Sequence, residues 1–65
     1  MTFGERLKAL REKRGWTQKK LAQLSGLTQD WVCRFETGER LPSFERLVGL
    51  RKALGVSWNM LLGKP

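Results

Sequence analysis

Apolar residues recur along this chain at spacings of three and four, as they do in helices with one buried face. No stretch alternates apolar and polar residues as a half-buried strand would. Phe3, Leu7 and Leu10 share the inner face of a first helix, predicted over about 2–14. Thr2 and Glu5 frame its start as a capping box, and Gly15 ends it. Thr17 caps a second helix over about 18–24 that buries Leu21 and Ala22; Ser25, Gly26 and Leu27 form a turn. Thr28 caps a third helix over about 29–37, with Val32 and Phe35 inward and Gly38 as its stop. After the loop Glu39-Arg40-Leu41-Pro42, Ser43 caps a fourth helix with Phe44, Leu47, Leu50 and Leu54 inside and Gly55 closing it. Ser57 caps a last short helix containing Trp58, Leu61 and Leu62. The pattern predicts an all-α fold: one domain over 1–65, a compact bundle of about five short helices.

Two short helices joined by a three-residue turn with a glycine form a helix-turn-helix unit, here about 17–37. Ala22 is small where the second helix approaches the third, and Gly26 gives the backbone freedom for the turn. At this point the sequence resembles the Cro/repressor-type (Xre-like) helix-turn-helix family. The residues that carry the likeness are Arg11, Gly15, Thr17-Gln18, Leu21-Ala22, Gly26, Val32, Glu36, Gly38, Pro42-Ser43, Leu47, Leu54-Gly55 and Leu61-Leu62, spanning Phe3 to Leu62. The resemblance implies a lambda-repressor-like DNA-binding domain that docks its third helix on DNA, usually as a dimer on a pseudo-palindromic site.

The outward face of the third helix follows from the residues themselves. With Val32 and Phe35 inward, Gln29, Asp30, Cys33, Arg34 and Thr37 point out. Such a face enters the major groove in a helix-turn-helix, where glutamine can pair bidentately with adenine and arginine with guanine. Gln29, Asp30, Cys33 and Arg34 are therefore the candidate base contacts. Gln18 stands in the first turn of the second helix, where its amide and the free N–H groups can hold a phosphate oxygen. Thr17, Lys19, Thr28, Trp31, Thr37, Gly38 and Arg40 complete the candidate backbone contacts, with Lys20 beside them.

Charge agrees with this reading and composition narrows it. Lys and Arg number 13 against 6 Asp and Glu, a net charge of +7, which suits a phosphate-rich partner and equally a soluble surface. The single cysteine excludes an internal disulfide and fits a reducing cytosol; the family resemblance adds the expectation of a cytoplasmic, nucleoid-associated protein of bacterial or phage type. Histidine is absent, and Cys33 has no base, so no catalytic constellation assembles and the chain is read as a non-enzyme. No cofactor or metal is expected, and no apolar run has the ~20 residues of a membrane span.

Four residues depart from the family pattern. Asp30 puts a carboxylate on the reading face, there either to accept from cytosine or to suit the helix dipole. Trp31 either touches sugar or a thymine methyl, or covers part of the core. Arg51 stands where the family packs alanine, so its head must reach solvent or a partner. Met60, with Trp58, Leu61 and Leu62, gives the last helix more apolar surface than a chain end needs, a candidate dimer surface. The leading expectation is a sequence-specific, repressor-like transcriptional regulator that binds double-stranded DNA as a homodimer. The alternatives are a DNA-binding antitoxin, with a toxin protein on the C-terminal helix, and a helix-turn-helix fold used for protein or RNA binding. Finally, Arg11 lies four residues after Leu7, and Glu36 four after Val32, both on core-facing sides. Opposite charges leaning inward from neighbouring helices should pair bidentately and set the pitch of the third helix, and the resemblance points to the same pair.

Overall fold

The computed structural model describes residues 1–63. Five helices follow in order: α1 (Phe3–Lys13), α2 (Gln18–Ser25), α3 (Gln29–Thr37), α4 (Phe44–Leu54) and α5 (Trp58–Leu62). Each opens in the same way. The side-chain oxygen of Thr2, Thr17, Thr28, Ser43 or Ser57 accepts from the amide three residues on, while the capping residue itself stays extended. The first amides of a helix have no partner within it, so an oxygen placed there satisfies a donor that is otherwise left open. At Thr2 the box is complete: its N–H donates to the Glu5 carboxylate at 2.8 Å, and that bond holds the Glu5 carboxyl below its ordinary range. α1 ends on Arg14. The Arg14 guanidinium donates to the Leu10 carbonyl at 3.0 Å and to the Leu54 carbonyl, so one cation serves the open carbonyl ends of both α1 and α4.

Leu7, Leu10, Leu21, Ala22, Val32, Phe35, Leu50, Leu54, Val56 and Leu61 form one core, drawn from all five helices and the α4–α5 turn. Three of its details depart from expectation. Phe44, assigned inward, is 72% exposed. As the first residue of α4 it lies on the rim, and its ring stacks on Trp58 with centroids 6.0 Å apart. Leu61, expected on the surface with Met60 and Leu62, is fully buried. So short a helix has about one inward position per turn, and Leu61 takes it, which leaves Met60 and Leu62 outside. Val56, assigned to no helix, is buried in the turn that brings α5 back onto α1.

α1 and α3 approach so closely that no side chain fits between them at Gly4. A Cβ there would lie 2.6 Å from the Phe35 carbonyl oxygen and closer still to that of Glu36. Both obstacles are backbone, and neither can swing aside. Alanine normally favours a helix interior over glycine by roughly 0.5–1 kcal/mol. Here Gly4→Ala should instead lower stability by ~1–3 kcal/mol, with Tm falling by about 4–8 °C for each kcal/mol. A Tm at or above the parent's would show that α1 and α3 do not seat this tightly.

Candidate nucleic-acid interface

α2, the turn and α3 make a corner whose inside is apolar and whose outside is polar. Gly26 takes left-handed backbone with φ of 72°, a conformation that side chains resist and glycine adopts freely. The Leu27 N–H then reaches back to the Ala22 carbonyl at 2.9 Å, closing α2 as the chain enters the Thr28 cap. Val32 and Phe35 are sealed into the core. Gln29, Asp30 and Thr37 are left exposed, with Cys33 and Arg34 half-buried beside them.

The pitch of α3 is held by a charged network beneath that face. Arg11 Nε donates to Glu36 Oε2 at 2.7 Å, and Arg11 Nη2 to Glu36 Oε1 at 3.1 Å. The two side chains are 10% and 2% exposed. The third arm of the fork, Nη1, donates to the Trp16 carbonyl at 2.7 Å. Gln18 Nε2 donates to Glu36 Oε1 at 3.0 Å. The Arg11–Glu36 pair thus gathers α1, the α1–α2 turn, the start of α2 and the end of α3. The hydrogen bond to Glu36 pushes the Arg11 guanidinium above its ordinary range.

On the face itself, Arg34 Nε donates to Asp30 Oδ2 at 2.8 Å and Nη1 to Glu39 Oε2 at 3.0 Å. The Asp30 bond, above all, holds this guanidinium above its usual range. Trp31 is half-buried against the core, 5.7 Å from Phe35 between ring centroids. The Arg46 guanidinium lies 4.7 Å over the Trp31 ring, a cation that sequence reasoning had left out of the site. The Thr17 and Thr28 oxygens serve as caps, and the Thr37 hydroxyl donates to the Arg34 carbonyl at 3.2 Å. Lys19, Lys20, Gly38 and Arg40 are exposed at the edges of the corner. Arg51 finds its partner within the chain: its guanidinium sits 5.1 Å over Trp58 and donates to the Val56 carbonyl at 3.4 Å.

The family model described as a helix-turn-helix domain matches residues 2–61. The chain belongs to this helix-turn-helix family. A prophage-derived HTH-type transcriptional regulator of Bacillus subtilis, YonR, is 38% identical over 92% of this chain and 56% of its own length. The immunity repressor of Bacillus phage phi105 is 33% identical over 98% of this chain and 44% of its own. The helix-turn-helix chain thus spans about half the length of these curated relatives. Among solved structures, the P22 c2 repressor in complex with a synthetic operator superimposes with a TM-score of 0.91 at 32% identity, covering 100% of this chain and 98% of that one. The restriction-modification controller protein C.AhdI of Aeromonas hydrophila gives 0.89 at 38% identity, covering 92% of this chain and 91% of its own. The all-α, repressor-like fold of this helix-turn-helix domain is therefore established by structure and sequence together.

A double-mutant cycle measures the buried pair. Arg11→Met leaves the Glu36 carboxylate stranded and should cost ~3–5 kcal/mol, with Glu36→Gln costing less and the double mutant less than the sum. Where Arg11→Met does not fold, Arg11→Lys keeps the charge, loses the fork and should give a smaller loss that melts can read. Small, additive losses across the cycle would mean that the two side chains do not meet in solution.

Proposed function

We propose that this chain is a sequence-specific, double-stranded-DNA-binding transcriptional regulator of the repressor type, reading the major groove with α3. The observation that carries the reading is the polar outer face of a helix whose pitch is fixed from beneath. Gln29 and Arg34 stand on it, with cations at its edges in Lys19, Lys20, Arg40 and Arg46. The names of the relatives support it, as does the likeness to a repressor seen on its operator.

Gln29 can pair with adenine N6 and N7, and Arg34 with guanine O6 and N7. Phosphates fall to the free N–H groups at the start of α2 with Lys19, and to Gly38 and Arg40 in the loop after α3. Gln18 keeps one amide N–H beyond its bond to Glu36, enough for a single phosphate oxygen. A neighbouring phosphate and the Glu36 network thereby share one side chain. Asp30 and Trp31, which depart from the family pattern, are both engaged within the chain, Asp30 on Arg34 and Trp31 on the core. No helix among the described residues is long and apolar enough to cross a membrane; the proposed place of action is the nucleoid.

The proposal includes a second copy of the chain. Met60 and Leu62 are exposed on α5. Leu62 borders a shallow apolar groove with Phe3, Leu41, Pro42 and Leu47. Two copies meeting through this patch would give an isologous contact and set two α3 helices on two half-sites.

Selection from a random duplex pool should return a two-half-site sequence, bound with log affinity falling linearly in log salt. Arg40→Ala should weaken all duplexes alike and reduce the salt slope by about 1, whereas Gln29→Ala should cost ~1–3 kcal/mol at one base position. A flat salt dependence would remove the DNA assignment. Sedimentation of the parent should show dimer at high concentration, and Met60→Glu with Leu62→Glu should return monomer. A parent that stays monomeric both free and on the selected duplex would rule the dimer out.

A further inference from the structure

Two carboxylates on a DNA-reading face are an electrostatic liability unless something employs them. Asp30 and Glu39 approach Arg34 from the two ends of its guanidinium, at 2.8 and 3.0 Å. Their side chains are 73% and 60% exposed, so burial did not force either contact. The loop after α3 is wound to make the second one possible. The Thr37 hydroxyl and the Arg40 N–H both donate to the Arg34 carbonyl, at 3.2 Å each, and the Glu39 N–H is turned onto Thr37 Oγ1 at 3.5 Å. Glu39 is thereby delivered to a side chain five positions back, beyond the reach of helical register.

Resting on the DNA-binding reading above, we infer that Asp30 and Glu39 are positioning residues that aim Arg34 at a single guanine and make that base the centre of the chain's specificity. A guanidinium carries five N–H groups in one plane. Nε and one N–H of Nη1 are taken, and three remain, two of them on Nη2. Guanine presents two acceptors side by side, O6 and N7, which suit two of those donors; adenine and cytosine present an amino group there that an N–H donor cannot use. A long arginine side chain loses rotamer freedom when it docks, and one already held between two carboxylates loses less of it on binding. Exposed ion pairs of this kind are individually weak, weaker than a bidentate base contact in a desolvated groove. The carboxylates therefore bias the side chain without locking it away from DNA.

The triad of Asp30, Arg34 and Glu39 carries a net charge of −1, one cation against two anions. On a duplex lacking the guanine, that charge meets phosphate with nothing gained in return. On the matching duplex the guanine contact outweighs it. The same two residues thus sharpen the preferred site and penalise the rest, by attraction in one case and repulsion in the other.

The experiment measures affinity for the selected duplex, for its variants at each base position and for a random duplex, at two salt concentrations. The proteins compared are the parent, Asp30→Asn, Glu39→Gln, the double variant and Arg34→Ala, with melts showing that each is folded. The parent should prefer guanine at one position by about 5- to 150-fold. Arg34→Ala should abolish that preference. Asp30→Asn with Glu39→Gln should raise affinity for the random duplex while shrinking the guanine preference at that position alone, leaving the position read by Gln29 unchanged. A guanine preference undiminished in the double variant overturns the inference. An increased one also overturns it, because the carboxylates would then be withholding Arg34 from DNA. A parent that binds no duplex in a salt-dependent way would instead defeat the DNA reading itself, a result distinct from either.

Discussion

The buried fork between Arg11 and Glu36 is the contact on which the useful geometry of this domain depends. A buried ion pair adds little net stability, because removing two charges from water costs about as much as their attraction returns. Its value lies in direction. Apolar contacts between α1 and α3 tolerate sliding and rolling; two parallel N–H···O bonds of fixed geometry do not. The third arm of Arg11 on the Trp16 carbonyl and the Gln18 amide on Glu36 extend the constraint into the turn and the next helix. A side chain from each of the first three helices thus meets at one carboxylate, and the outer face of α3 points where that carboxylate allows.

Much of this was legible in the sequence, because the signals are local. Each helix opens on a Thr or Ser cap whose effect is confined to a few residues, so Thr2, Thr17, Thr28, Ser43 and Ser57 could be read from the chain alone. Val32 and Phe35 define a phase that leaves Gln29, Asp30, Cys33, Arg34 and Thr37 outside, whatever the tertiary fold. What escaped depends on contacts distant in sequence or outside helical register. Gly4 reads as an ordinary weak helix residue until the carbonyls of Phe35 and Glu36 are brought against it. Phe44 sits at a helix start, where periodicity has few residues to fix a phase, and Leu61 lies in a helix too short to display one. The Asp30–Arg34 spacing of four was visible as a helix pair, but Glu39 joins it through the course of the loop.

The distribution of charge is more selective than the net value suggests. Of the six acidic residues, Asp30, Glu36 and Glu39 lie on α3 or directly after it, and all three bind arginine. Lys19, Lys20 and Arg40 meanwhile stand exposed around them. The acidic groups nearest the outer face of α3 are thus engaged within the chain, and the cations at its border are left for a partner.

The seat of α3 on α1 has a mechanical consequence. At Gly4 the backbone of α1 lies against the Phe35 and Glu36 carbonyls, and Arg11 forks the Glu36 side chain, so backbone and side chain together hold the C-terminal end of α3 and resist its shifting to suit an imperfect target. On the proposed reading, adaptation at the interface must then come from the DNA. Stiff duplex segments and easily kinked base steps would be told apart by the bending each one demands. A rigid protein surface would in that way sense the elasticity of base pairs that none of its side chains reaches.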